Sequence, residues 1–162
     1  MRKIGIVGIG HVGATVAHII IAQGLADELI LVDKNTAKLA ADELDFRDAA
    51  SLLRNHVTVY AGTANDLADA DLVISALGHI DLIKPGGDRF TELKANTPEV
   101  QQVGNDLKKV GFNGVLIVIS NPVDVITGMY QKFTGLPTNQ VFGTGTYLDT
   151  ARLKRVLGEA LD

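Results

Sequence analysis

Cysteine is absent from all 162 residues, which excludes disulfides and thiolate-held metals. A basic excess is absent too. Lys and Arg number 15 against 19 Asp and Glu, for a net charge of −4. No basic stripe runs along the chain, which argues against nucleic acid as the main partner. Long apolar runs are missing: Ile19-Ile20-Ile21 sits in a segment far too short to cross a bilayer. The first apolar run is short and broken by glycines, unlike a secretory signal. The expectation is a cytoplasmic protein with no membrane partner. There is no internal repeat, low-complexity tract or linker. With 46% hydrophobic and 21% charged residues, the balance is that of an ordinary globular chain. A chain this long reads as one domain that buries roughly 68–70% of its unfolded surface.

What is present is concentrated in residues 3–33. An apolar run, Lys3-Ile4-Gly5-Ile6-Val7, leads into Gly8-x-Gly10-x-x-Gly13. A helix-like segment follows, and a second apolar run, Leu29-Ile30-Leu31-Val32, closes on Asp33. This is the wiring of a βαβ dinucleotide-binding unit. Gly8 permits a sharp turn off the strand, Gly10 leaves the main chain open to a pyrophosphate, and Gly13 lets the helix pack closely. The helix start, at His11 and Val12, points free N–H groups and a positive dipole end at phosphate. Asp33 stands where an acid accepts hydrogen bonds from the adenosine ribose. Three glycines at this spacing occur by chance roughly 0.2 times in such a chain, so the strand, the helix and the closing acid carry the inference.

Strand-like and helix-like segments alternate along the rest, which predicts a parallel sheet wrapped by helices. Strands are expected at about 3–8, 29–33, 57–61, 72–76, 115–119 and 141–143. Helices are expected at about 11–24, 36–53, 89–110, 123–134 and 148–161. Ala14 and Ala17 should face the sheet. Asn55 is a plausible left-handed stop for the second helix. Pro98 should kink or restart the long third helix, with Thr97 as a possible cap. Residues 79–87, with Pro85-Gly86-Gly87, read as a loop. Six strands in this alternation predict a doubly wound α/β Rossmann sheet of order 3-2-1-4-5-6, with helices on both faces. Ligands of such sheets bind at the carboxyl ends of the strands. Gly8–Gly13, Asp33, Gly78, Ser120-Asn121 and Gly143–Thr146 all fall at those ends.

Arg89, Asn121, Asp149 and Arg152 are the side chains suited to chemistry. A guanidinium can fork onto a carboxylate, and an amide can donate to a substrate oxygen. Spacing alone does not decide their role. Asp149 and Arg152 share one helix face, which fits an ordinary surface ion pair at least as well. His11, His18, His56 and His79 read as solvated or packing histidines. No carboxylate cluster completes a metal site, so no metal is expected.

Three further stretches are Lys84-Pro85-Gly86-Gly87-Asp88-Arg89, Ile119-Ser120-Asn121-Pro122-Val123-Asp124 and Gly143-Thr144-Gly145-Thr146-Tyr147-Leu148-Asp149-Thr150-Ala151-Arg152. Taken in order with Gly8–Gly13 and Asp33, they resemble the L-lactate/malate dehydrogenase family. The resemblance covers the whole sequence, which corresponds to roughly the amino-terminal half of a family member. It implies an NAD-binding domain over 1–147 and, over 148–162, the first helix leading into a substrate domain absent from this chain. It also implies NAD as cofactor, a small 2-oxoacid or 2-hydroxy acid as substrate, and a homo-oligomer. Arg89 then resembles the loop arginine that closes over substrate and polarises its carbonyl. Asn121 resembles the asparagine that contacts substrate, and Arg152 the arginine that holds its carboxylate. Asp149 resembles the acid that orients the catalytic histidine. Asn96 and Ser120 fall at positions that contact the nicotinamide end of the cofactor, and Gly78 ends the strand beside it. The Asn121-Pro122 bond is expected to be cis.

One departure is large. The family's proton-donating histidine lies in a Gly-Glu-His-Gly motif downstream of Arg152, and no such motif occurs by Asp162. The chain is therefore expected not to turn substrate over on its own, and to bind NADH at most weakly. Two readings follow: part of an NAD-dependent L-2-hydroxy acid dehydrogenase, or a non-catalytic NAD-binding module. The NAD-dependent glycosidases, which share the fold, fit the Asp149–Arg152 motif less well. NAD is expected over NADP, because Asp33 would repel the additional phosphate by about 4 kcal/mol at an effective dielectric near 20. The helix at 36–53 carries the family's subunit contact, with Leu44, Phe46, Leu52 and Leu53 as candidates that could equally pack inward. Ile83 stands where malate enzymes carry a second arginine. Within the family the sequence thus looks more like the L-2-hydroxyisocaproate dehydrogenases than a strict lactate enzyme.

Overall fold

The computed structural model describes residues 1–79 and 89–161. The expectations for Ile83 and for the loop at 80–88 lie outside the described residues, as does the Arg89 side chain. Strands β1 (Lys3–Val7), β2 (Glu28–Val32), β3 (Thr58–Ala61), β4 (Leu72–Ser75), β5 (Val115–Val118) and β6 (Val141–Gly143) form one sheet. Its order is β3-β2-β1-β4-β5-β6 and every pairing is parallel. Helices α1 (His11–Gln23), α2 (Thr36–Ser51), α3 (Arg89–Lys109), α4 (Val123–Thr134) and α5 (Tyr147–Leu161) alternate with the strands. The doubly wound Rossmann arrangement is therefore the one the alternation predicts. Among the described residues no helix is long and apolar enough to cross a membrane.

The period of two in the strands divides the core. Ile4, Ile6, Leu29, Leu31 and Val59 face one side, with Ala17, Ile20 and Ile21 of α1 and Leu39 of α2 packed on them. Val7, Ile30, Val73, Leu116 and Val118 face the other, under Val100 and Leu107 of α3 and Ile126 and Tyr130 of α4. Ala17 is fully buried and Ala14 packs beside it, as expected of small residues facing a sheet. Between β4 and α4 the buried hydroxyls of Ser75 and Tyr130 meet at 2.8 Å.

Three local expectations are corrected. Asn55 is not left-handed, because no residue other than glycine has positive φ among the described residues. Helix α2 ends at Ser51, with Leu52 in a right-handed conformation, its N–H on the Ala49 carbonyl and that of Leu53 on the Ala50 carbonyl, each at 3.2 Å. Asn55 instead donates its amide to the Ala22 carbonyl at 3.1 Å, bracing Gly24, the left-handed residue that ends α1. An αL conformation costs a side-chain-bearing residue but not glycine. Helix α3 runs continuously through Pro98 rather than restarting there. The Thr97 hydroxyl bonds back to the Leu93 carbonyl at 2.7 Å, so it satisfies a helix acceptor and caps nothing. Two short 3-10 segments, Ala64–Leu67 and Thr138–Gln140, had no counterpart in the sequence reading.

Candidate functional site: a cleft at the carboxyl ends of the strands

The glycine turn is built by two close approaches. Gly8 has φ +93°, and a Cβ there would stand 2.9 Å from the Ala76 carbonyl carbon and oxygen. Its N–H bonds to the Val32 carbonyl at 2.8 Å, which ties the turn to the end of β2. A Cβ on Gly13 would stand 1.9 Å from the Gly8 carbonyl oxygen. Only glycine lets α1 start this close to the strand it leaves. Gly10 is the N-cap of α1, contributes no side-chain cap, and opens on free space. Neither an acid nor a capping hydroxyl stands in the first turn, where His11 and Val12 are exposed. The first-turn N–H groups and the positive end of the helix are thus left for an anion.

Asp33 closes β2 beside this turn. One carboxylate oxygen accepts the Ile9 N–H at 2.6 Å and the other accepts the Asn35 N–H at 2.8 Å. Each oxygen keeps a lone pair free for a ligand hydroxyl. The Asn35 side chain caps α2 by accepting the Lys38 N–H at 3.1 Å. Lys38 then reaches back to the Ile9 carbonyl at 2.6 Å and also pairs with Asp42. A cleft of about 700 Å³ runs from this turn past Gly62, Thr63 and Gly78 to Glu99 and Gln102 of α3. The volume is that of a small-molecule or cofactor site. Thr63 and Asp66 form a reciprocal cap on the 3-10 segment at the cleft wall, and the Thr63 donors hold the Asp66 carboxyl below the usual carboxylate range.

A second group lies outside the lining of that cleft. Asn96 is fully buried on α3 and donates its amide to the Asn121 carbonyl at 3.1 Å. Its Oδ1 has no partner, and neither has Oγ of buried Ser120, the residue before Asn121. Buried polar atoms without partners cost about 1–3 kcal/mol each, so their survival points to a ligand that satisfies them. The Asn121–Pro122 peptide is cis, as expected, and the Asn121 side chain is exposed. The fold thus brings Asn96, Ser120 and Asn121 together from α3 and the end of β5.

A profile described as lactate/malate dehydrogenase, NAD binding domain, matches residues 2–143. The chain belongs to the lactate/malate dehydrogenase family. It is 40% identical over 160 residues to L-lactate dehydrogenase 2 of Enterococcus faecalis, covering 99% of this chain and 50% of that protein. It is 39% identical to an L-lactate dehydrogenase of Fusobacterium nucleatum, covering 98% of this chain and 49% of that protein. Among solved structures, the ligand-bound minor L-lactate dehydrogenase of Enterococcus mundtii superposes with a TM-score of 0.91 at 39% identity, covering 99% of this chain and 50% of that one. The chain therefore spans about half the length of the relatives it matches, and its cofactor is NAD.

The residues in place suit that cofactor. The uncapped start of α1 suits a pyrophosphate, and Asp33 a ribose diol. The orphaned Asn96 and Ser120 atoms suit a polar group such as a carboxamide. Asp149 and Arg152 are placed differently: on α5 they pair with each other at 3.0 Å, and every described α5 side chain is exposed. Within the described residues they meet none of the cleft. Lys38, Thr63 and Glu99 are cleft residues the sequence reading missed, and His79, read as solvated or packing, lines it as well. Thr63 had a usable signal, since it follows the end of β3 where the topology places ligands. Lys38 and Glu99 had none, because a charged residue on a helix looks the same whether it faces water or a cleft.

Proposed function

We propose that this chain is the cofactor-binding part of an NAD-dependent L-2-hydroxy acid dehydrogenase of lactate type. The observation that carries the proposal is the pair of orphaned buried atoms, Asn96 Oδ1 and Ser120 Oγ, beside Asn121 in an NAD-binding domain of this family. Bound NADH supplies a hydride for reduction of a 2-oxoacid carbonyl. This chain's own residues position and polarise. Gly8, Gly10, His11, Val12 and Gly13 hold the pyrophosphate at the start of α1. Asp33 holds the adenosine ribose, Gly78 lets the cofactor lie against the end of β4, and Asn96 and Ser120 fix the nicotinamide end. Asn121 contacts the substrate oxygen. Arg89 polarises the carbonyl and Arg152 holds the substrate carboxylate, each by charge-assisted hydrogen bonds. Asp149 orients a histidine supplied by further sequence, as general acid–base chemistry at the hydroxyl requires. We read residues 1–147 as the NAD domain and α5 as the lead into a substrate domain. The exposed faces of Leu148, Leu153 and Val156 support that division. A cytoplasmic location belongs to the same reading and is tested by fractionation.

The substrate we propose is a 2-oxoacid with an apolar side chain, covered by Ile83. An apolar residue cannot offset the several kcal/mol needed to bury a second carboxylate unpaired. It can cover a branched chain, at about 0.8 kcal/mol per buried CH₂. The test is kcat/KM of the full-length enzyme for 2-oxoisocaproate, pyruvate and oxaloacetate, repeated with Ile83→Arg. Oxaloacetate should rank last in the wild type and rise in the variant. Oxaloacetate ranking first, or a ranking unmoved by the arginine, defeats the proposal. A non-catalytic NAD-binding module is the reading favoured by one observation, the exposed Asp149–Arg152 pair satisfying itself. It is upheld if the full-length protein binds NADH and reduces none of the three acids.

A further inference from the structure

One polar bridge joins two walls of the NAD cleft. Lys34 follows Asp33 at the end of β2, Glu99 lies on α3, and His79 follows Gly78 beyond β4; all three line the cleft with Asp33. Lys34 Nζ pairs with Glu99 Oε1, and His79 Nε2 donates to the same oxygen at 3.0 Å. The Glu99 side chain is only 25% exposed. Burial alone would raise its carboxyl. The hydrogen bonds from Lys34 and His79 outweigh that and hold it below the ordinary range, so it is ionised at neutral pH.

We propose that Glu99 is a determinant of cofactor choice: by occupying Lys34 and His79 it leaves, among the described residues, no unpaired cation at the Asp33 end of the cleft for a phosphate on the adenosine ribose, Lys38 there being held by Asp42 and the Ile9 carbonyl. The inference rests on the NAD reading of this cleft. Asp33 alone would not guarantee rejection of NADP, because Lys34 is its neighbour in sequence. A free ammonium there would offset the carboxylate and give the phosphate a charge-assisted partner. Glu99 consumes that ammonium and takes the His79 N–H as well. It also adds a second negative charge to the cleft. NADH carries no phosphate at that position, so the loss of the free ammonium discriminates against NADPH.

The experiment is titration of NADH and NADPH, followed by nicotinamide fluorescence, into wild type, Glu99→Gln, Glu99→Ala and the double variant Glu99→Gln/Lys34→Gln. Thermal melts check each fold. Both single variants should tighten NADPH relative to NADH roughly five- to tenfold, as expected for a partly solvated charge. The gain should shrink at high ionic strength and fall at least severalfold in the double variant, which removes the freed ammonium. An unchanged ratio overturns the proposal, as does equal tightening of both cofactors or a gain that loss of Lys34 leaves undiminished. Failure of wild type to bind NADH at all overturns the reading of the cleft instead.

Discussion

At Gly13 a single added carbon has nowhere to go. Its Cβ would stand 1.9 Å from the Gly8 carbonyl oxygen, and backbone cannot swing aside as the end of a side chain can. Gly13→Ala should destabilise the chain by about 1–3 kcal/mol through overpacking and weaken NADH binding by moving the start of α1. Chemical denaturation and a cofactor titration check both, and a variant with unchanged midpoint and affinity contradicts the account. The role of Gly13 was legible in the sequence because spacing to Gly8 and Gly10 expresses a geometric necessity. Asp33 was legible for the same reason, through its place at the end of the second apolar run. Its two backbone hydrogen bonds, from Ile9 and Asn35, were not. They depend on the path of the turn in space, to which no pattern of residue types corresponds.

Among the elements, β4 and α4 are joined by a buried hydroxyl pair, Ser75 and Tyr130. Burial pushes the Tyr130 phenol up, and the Ser75 hydrogen bond offsets this only in part. The ordinary value, near 10, applies to the unfolded chain. A raised folded value means that the contribution to stability is complete below pH about 10 and is lost as pH climbs above it. Tyr60 and Lys3 are raised too and act in the same direction, so a variant is needed to isolate Tyr130. Tyr130→Phe should cost about 1–2 kcal/mol at neutral pH by leaving Ser75 unpaired. It should also lose stability less steeply than wild type between pH 9 and 11 (roughly the window around the tyrosine value). Parallel pH profiles in urea denaturation contradict this. Strands and helices were legible because periods of two and of about four expose the buried faces. The end of α2 and the passage of α3 through Pro98 were not: Asn55 is held by a contact with Ala22, distant in sequence, and local propensity is silent about such contacts.

Over the whole molecule, the family motifs pointed to both polar groups of the proposed site, and the sheet topology puts both at the carboxyl ends of the strands. The cleft and the Asn96–Asn121 group are assembled inside the chain. The Asp149–Arg152 pair stands on a helix that buries none of its described side chains, so the role proposed for it rests on the resemblance alone. On α2, Leu44 and Leu52 are 59% and 88% exposed, while Phe46 and Leu53 pack against the core. We therefore expect Leu44 and Leu52 to carry the subunit contact. Light scattering should give an oligomeric mass for the full-length protein, and Leu44→Glu should lower it; a monomeric wild type removes the expectation. The claim on which the rest depends is that the cleft between Gly8 and Asp33 holds NAD. Calorimetric titration of the 162-residue chain with NADH and NADPH tests it most directly. The account predicts that NADH binds, that NADPH binds at least about tenfold more weakly, and that Gly13→Val abolishes both. No heat from NADH, or equal affinity for the two cofactors, would contradict it.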